Sequence, residues 1–390
     1  MIRLRRRVLG SLHEGGEGRA APLAESPPTI YDVARNAGVS IATVSRVLNG
    51  FGQTRATTRD RVLAAVSELG FVPNGAARGL SRGSKRIIGL VFAHTPADDD
   101  LLAEEEGSLL FTDSVVRGAE QSAERHGYSL LLSGAGGDHG DHEASVNALT
   151  GKTDGLILLD RVLPEKRLAP VGKRFPLVLL AGTGRSRSAV TVRVDNEGGM
   201  RAVSSHLVGE HGLSHMAFIS GYADSPDSIA RGRAFGQAVA ELGGYLEPME
   251  DLGGDWTSAG AARALERRLA ARSDVPEAVV CANDQMAVGA IHVLVAHGLR
   301  VPEDVAVVGF DDVPLARHLS PTLTTVRQPS RQLGAVAVET LVALLEGANV
   351  AKRDIVLPTE LIVRGSCGCH AGTTPVNQAA AAVSGLVSRP

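Results

Sequence analysis

TIYDVARNAGVSIATVSRVLNG, residues Thr29 to Gly50, holds two helix starts and one helix stop. Thr29 follows Pro27 and Pro28 and stands three residues before Asp32, the spacing of an N-cap with an acidic partner in the first turn. Ile30, Val33, Ala34 and Ala37 then recur on one helical face. Gly38 is placed to end that helix as a left-handed cap residue. Ser40 is a second N-cap, and Val44, Val47 and Leu48 give the next helix its inward face. Thr57 and Thr58 are expected to cap a third helix, with Val62, Leu63, Val66 and Leu69 inward and Gly70 at its end. Helix, tight glycine turn, cap, helix: the stretch reads as a helix-turn-helix.

In such a unit the second helix lies in the DNA major groove and its first residues reach base edges. Arg46 can donate two bonds to guanine O6 and N7, while Ile41 and Ala42 offer apolar contact to a thymine methyl. Ser40, Thr43, Ser45 and Asn49 are short polar groups suited to phosphates. The bland alternative, a structural three-helix domain with a solvated face, has to account for a second helix with no acid.

Charge points the same way. The net charge of −3 over 390 residues hides an asymmetry. From Thr29 to Arg86 nine Lys and Arg stand against three acids, a balance of +6, whereas the chain beyond Arg86 carries −11. A basic head on an acidic body suggests a polyanion-binding module joined to one that avoids polyanions. A hydrophobic share of 44% and a charged share of 21% are those of a globular chain long enough for several cores. Apolar runs are strand-sized, so no membrane partner is expected. Three cysteines argue against a disulfide framework and suit a reducing cytoplasm. Residues 1–28 read as a disordered basic extension and 371–390 as a flexible tail.

TIYDVARNAGVSIATVSRVLNG and TRDRVLAAVSELGFVPN resemble, without a gap from Thr29 to Leu80, the DNA-binding signature of the lactose-repressor (LacI/GalR) family of bacterial transcription factors. The similarity continues to about Gly365. It adds Thr29, Tyr31 and Thr58 to the implied DNA contacts. It also implies that NGAARGLSRGS (Asn74–Ser84) is a hinge helix, with Ala77 and Leu80 against DNA and the leucine wedged into the minor groove. The residues fit a marginal helix: the segment is too short to hold alone in water, and Gly75 and Gly79 cost about 1 kcal/mol each relative to Ala.

After Arg86 apolar runs alternate with amphipathic segments: IIGLVFA, YSLLLSG, GLILLD, PLVLLAG, AVTVRVD, HMAFISG, AVVCAN and VAVVGF. That pattern means parallel sheet covered on both faces, and eight strands are expected to divide between two doubly wound subdomains. Ligands in such folds bind beyond the carboxyl ends of the strands. Polar residues gather there: Arg231 and Arg233 in SPDSIARGRAFG, an Asn, an Asp and the only Trp make a set suited to a polyol. The resemblance implies that Arg233, Asn283 and Asp311 bond an effector, with Trp256 and Gln328 lining the cleft. Asp160 and Phe111 are candidate lining residues from the first lobe, where HTPADDDLLAEEEGSLLFTD departs from the family's shorter segment.

Other chemistries leave no signature. There is no nucleophile elbow, metal-ligand helix motif or Walker-type loop, so no enzyme and no cofactor is expected. Cys281, in AVVCAN, reads as a small core residue. Cys367, Cys369 and His370 form a C-x-C-H cluster, but three ligands do not close a structural zinc site, and no metal is expected. DHGDHE (Asp138–Glu143) reads as a solvated loop. A sugar-binding transport component shares a two-lobed body but needs a secretory signal and no helix-turn-helix. An architectural DNA-binding protein needs no cleft.

The expected chain is thus a type I periplasmic-binding-protein-like body (86–370) joined by a hinge (75–85) to an all-α head (29–74). Its expected function is that of a cytoplasmic homodimeric repressor. It binds a pseudo-palindromic operator and is controlled by a small effector, a sugar or related metabolite, through inducer release. A corepressor- or partner-protein-dependent regulator is the alternative.

Overall fold

The head is built from three helices: α1 (Ile30–Ala37), α2 (Ile41–Asn49) and α3 (Ala56–Leu69). Thr29 opens α1 as the spacing requires, its backbone N–H and its hydroxyl both donating to Asp32 Oδ2 at 2.9 and 2.6 Å. Gly38 (φ +61°) and Gly70 (φ +62°) close α1 and α3 in the left-handed conformation that glycine adopts without strain. Val33, Ala34, Ala37, Val44, Val62 and Ala65 form the core, backed by Ile30, Val47, Leu48, Val66 and Leu69. Two details differ from the sequence reading. The third helix starts at Ala56, so Thr57 and Thr58 lie inside its first turn instead of capping it. Leu63 stays 46% exposed, because the inward stripe runs through Val62, Ala65, Val66 and Leu69 and leaves position 63 to one side.

The computed structural model describes residues 27–49, 54–72, 84–93, 109–135, 142–159, 161–184, 186, 188–248 and 252–369. They fall into two compact units, Met1–Gly83 and Ser84–Pro390. The expectations for residues 1–26, Ala77, Leu80, Asp160, His370 and the tail lie outside the described residues. Ser84 and Lys85, read from sequence as linker, already belong to the body. Ser84 Oγ and the backbone N–H groups of Lys85 and Arg86 all donate to the Asp154 carboxylate, at 2.8, 2.8 and 2.6 Å.

The eight expected strands all form: β1 (Ile87–Ala93), β2 (Ser129–Ala135), β3 (Gly155–Leu158), β4 (Leu177–Leu180), β5 (Val190–Val194), β6 (His215–Ile219), β8 (Ala278–Cys281) and β9 (Ala306–Asp311). Four short ones join them: β7 (Tyr245–Leu246), β10 (Thr324–Arg327), β11 (Asp354–Leu357) and β12 (Glu360–Ile362). They make two six-stranded sheets, ordered β11-β5-β4-β3-β1-β2 and β12-β10-β9-β8-β6-β7. Among the described strands only β12 runs antiparallel to its neighbour. Strands such as LVLL and AVVC are apolar throughout because helices cover both faces.

Seven helices matter for the body's architecture: α4 (Leu109–Arg125), α5 (His142–Thr150), α7 (Asn196–Ser204), α8 (Pro226–Glu241), α9 (Ser258–Ala271), α10 (Asp284–Ala296) and α11 (Ser330–Leu345), with the short α6 (Glu165–Gly172) between β3 and β4. The chain passes between the sheets three times: after β5, after β10 and after β11. After the second passage α11 packs on α4 and on β3, β4 and β5 of the first sheet. Its fit there depends on two glycines. A Cβ on Gly118 would meet the Arg331 carbonyl oxygen at 1.8 Å, and one on Gly334 the Val115 carbonyl oxygen at 2.0 Å.

Gly118→Ala or Gly334→Ala must therefore push α4 and α11 apart. Each is expected to destabilise the body by about 1–3 kcal/mol, read as a lower urea midpoint for the unfolding of the body.

Candidate functional site

On the head, α2 presents Ile41 (39% exposed), Ala42 and Arg46 outward. The helix carries no acid, and Arg46 meets none among the described residues. Ser40 is occupied at the cap, its Oγ accepting from Thr43 N at 3.2 Å and lying 3.0 Å from Thr43 Oγ1. Ser45 accepts from Asn49 Nδ2 at 3.1 Å, a bond that holds both side chains along the helix. Tyr31 projects from α1, 63% exposed. Thr58 is half-buried in the first turn of α3. This is a rigid face of short polar groups around an apolar pair and one arginine, the composition that reads a major groove.

In the body the polar residues converge on Arg231, not on Arg233. Helix α8 buries Asp227, Ser228, Arg231, Ala234, Phe235, Ala238 and Val239, a three-to-four-residue rhythm. Arg233 falls between these positions and is exposed. Of the two arginines, Arg231 is thus the one built into the buried polar cluster, and Arg233 stands exposed beside it. Phe235, one turn on in the same apolar stripe, was the available signal.

Arg231 is held on every side. Its Nε donates to Asn196 Oδ1 at 2.8 Å and its Nη1 to the Ala282 carbonyl at 2.6 Å. Its guanidinium stacks 3.6 Å from the centre of the Phe310 ring and 5.6 Å from that of Trp256. Asp311 and Asp227 lie 3.7 and 3.8 Å from its terminal nitrogens, and Asn196 Nδ2 donates to Asp227 at 2.7 Å. Such a bidentate, planar cation is suited to several acceptors at once, which an ammonium is not.

Asp311 closes β9 with φ +121°, a backbone value that L-residues rarely adopt. Burial pushes its carboxyl up to about 7, against the pull of Arg231 and of the bond from Gln328. Near neutrality this group can both accept and donate. Gln328 spends its amide nitrogen on Asp311 and leaves its buried Oε1 without a partner. Phe111, Asp311 and Gln328 line one cavity of about 580 Å³, with Ser114 and Gln121 of α4 on the same wall.

The other candidates are placed differently. Asn283 caps α10: its Oδ1 accepts from Met286 N at 2.8 Å and its Nδ2 donates to the Trp256 carbonyl at 3.1 Å. Its side chain therefore fixes the strand terminus. Trp256 is half-buried at φ +63° and lies flat against Gly221, where any Cβ would meet the indole at 2.2 Å. Neither residue lines that cavity. Asn196 and Asp227 escaped the sequence reading because neither carries a motif. So did Arg161, whose Nε lies 2.8 Å from Asp224 Oδ1 and whose guanidinium covers Tyr222 at 3.9 Å, a latch from the first lobe to the second. Cys281 is fully buried, and burial raises its thiol well above the ordinary range. Cys367 and Cys369, set aside for want of a fourth ligand, meet His206 and His211. The sequence reading missed this because the two pairs are some 160 residues apart in the chain.

Residues 29–74 match the family of bacterial regulatory proteins, lacI family. Residues 205–367 match a periplasmic binding protein-like domain. The chain is 34% identical over 343 residues to the HTH-type transcriptional repressor PurR of Aliivibrio fischeri, covering 87% of this chain and 98% of that protein. Catabolite control protein A of Priestia megaterium is 31% identical over 341 residues, with 87% and 98% covered. Among solved structures, the Lac repressor dimer bound to operator and the anti-inducer ONPF is similar at a TM-score of 0.75 and 29% identity, over 88% of this chain and 99% of that one. A transcriptional regulator CelR–cellobiose complex is similar at 0.63 and 32%, over 87% and 99%.

Two outcomes follow from the geometry. Arg231→Ala strands Asp227 and Asp311 without their cation and is expected to cost about 3–5 kcal/mol, whereas Arg233→Ala stays within about 0.5 kcal/mol; urea unfolding of both variants separates the two positions. The folded Asp311 keeps its proton up to about 7 while the unfolded carboxyl loses it near 3.8. The folded state therefore binds more protons in that window, and stability falls as pH rises through it. Asp311→Asn is expected to remove that part of the slope, seen by comparing unfolding midpoints of the two proteins across the window.

Proposed function

We propose that this chain, which belongs to the lacI family of bacterial regulatory proteins, is a DNA-binding transcriptional repressor whose operator affinity is set by a small polar effector in the body. One observation carries the reading: a single chain joins an acid-free α2 exposing Ile41, Ala42 and Arg46 to a two-lobed body with a cavity that Phe111, Asp311 and Gln328 line. Relatives it matches over nearly their whole length are named as transcriptional repressors, and repression requires no catalytic group.

The head reads base edges through Arg46, Ile41 and Ala42, and binds phosphates through Ser40, Thr43, Ser45 and Asn49 with Thr29, Tyr31 and Thr58 beside them. A twofold dimer sets two such helices on successive major-groove turns and requires a pseudo-palindromic operator. Ala77 and Leu80 serve the minor groove between the half-sites, and the repressor works in the cytoplasm, where that DNA lies.

The effector contacts are Phe111, Asp311 and Gln328, with Arg231 behind them. An orphan buried acceptor at Gln328 calls for a ligand donor, and Asp311 near neutrality takes either end of a hydroxyl bond. A ring C–H face suits Phe111. A carbohydrate supplies all three features, and cellobiose and ONPF are the ligands named with two structural neighbours. An effector that prefers one lobe arrangement shifts the equilibrium by at most its differential affinity, and the factor by which it changes DNA affinity is the factor by which DNA changes its own. We assign it the inducer role.

The test is a mobility-shift titration of the purified chain on the DNA upstream of its own gene, repeated across a panel of mono- and disaccharides. Specific binding that one sugar weakens is the expected result, and failure to select any duplex over competitor would sink the reading. In the same assay Arg46→Ala is expected to cost about 1–3 kcal/mol, roughly a 5- to 150-fold rise in Kd, with discrimination relaxed at one base pair per half-site.

A further inference from the structure

In the second lobe, α7 does not end as an ordinary helix. It continues from Ser205 to Glu210 as a π-helical turn, with His211 N donating to the His206 carbonyl at 3.1 Å. A five-residue repeat turns side chains i and i+5 to the same side, as a regular α-helix does not, and such turns recur at functional sites. Here it brings His206 and His211 edge to face, ring centres 4.7 Å apart.

Opposite them lies the chain's Cys-Gly-Cys turn. Ser366 anchors it: its Oγ accepts from Thr324 N at 2.8 Å and donates to the Val307 carbonyl at 2.6 Å. Gly368 then takes φ +97°, which folds Cys369 back beside Cys367.

The four tips converge. His206 Nε2 lies 3.2 Å from His211 Nε2, 3.3 Å from Cys367 Sγ and 3.8 Å from Cys369 Sγ, and Cys369 Sγ is 3.3 Å from His211 Nε2. A nitrogen with one proton or one lone pair can satisfy one of those three neighbours, not all of them. A central cation satisfies all four groups. Bond lengths of about 2.0–2.1 Å for Zn–N and 2.3 Å for Zn–S set the tetrahedral edges at roughly 3.3 Å for N···N and 3.6 Å for N···S. The observed N···N edge of 3.2 Å is close to the first value, and the N···S edges of 3.3, 3.8 and 3.3 Å bracket the second. His206 also has the outer partner expected of a metal-bound imidazole, Glu210 Oε2 at 2.9 Å from its Nδ1.

We propose that His206, His211, Cys367 and Cys369 form a Cys₂His₂ zinc(II) site. Two thiolates and two imidazoles select zinc over oxygen-seeking cations, and four protein ligands leave no open position, so the ion is structural. Binding displaces the thiol protons to solvent. The ion staples the segment after the third inter-sheet passage to the far end of α7, whose first residue, Asn196, orients Arg231. The proposal does not rest on the repressor reading.

The experiment uses the full chain, purified under reducing conditions. Elemental analysis is expected to give one zinc per chain. Cobalt(II) added to chelator-stripped protein is expected to give tetrahedral d–d bands with a thiolate-to-cobalt charge-transfer band. Cys369→Ser and His211→Gln, both at half-buried positions, should each weaken cobalt binding by at least about tenfold, and Glu210→Gln by about tenfold. Three results would overturn the site. The first is a folded, stripped wild type that gives no tetrahedral spectrum. The second is a spectrum unchanged in the Cys369→Ser, His211→Gln double variant. The third is a Cys367–Cys369 disulfide in the protein as purified.

Discussion

Everything in the body depends on the three places where the chain passes from one sheet to the other. The first and the third lie against each other. Asp195 N, on the first passage, donates to the Leu357 carbonyl at 2.8 Å, and Thr359 Oγ1, on the third, donates to the Asp195 carbonyl at 2.9 Å. Gly199 keeps them close, since a Cβ there would meet Thr359 Oγ1 and Val326 at 2.9 Å. Short passages bundled in this way have the geometry of a hinge between two packed lobes.

The polar residues of the cleft belong to that hinge. Asn196 stands at the end of the first passage and Gln328 opens the second, and they grip Arg231 and Asp311 respectively. Gln328 and Asp311 thus stand where the chain passes between the lobes. Buried charge fits a hinge better than it fits stability. Arg231 sits among two carboxylates whose own burial raises their pKa, a costly arrangement that well-packed apolar side chains would not incur.

Legibility followed burial and length. Runs such as IIGLVFA and AVVC announced their strands because both faces are covered and every residue is apolar. TTVR and ELI did not, being short and partly polar, and they are strands only because β9 and β10 offer them an edge. In the head, the caps Thr29, Gly38 and Gly70 were readable since a cap is a local hydrogen-bond problem solved within a few residues. The start of α3 was not, because two threonines looked like better caps than Arg55, which sits there.

The sequence by itself determined the helix-turn-helix, the two-sheet body and the family, all of which rest on local periodicity and contiguous motifs. Tertiary structure alone decided which side chains meet. It buried Arg231 and left Arg233 exposed by helix phase, set Asn283 as the cap of α10, and joined Arg161 to Asp224 across the lobes. It also set two histidines beside two cysteines from the other end of the body. Periodicity is a property of neighbours in the chain; convergence depends on where three inter-sheet passages carry distant ends, and no local pattern encodes that.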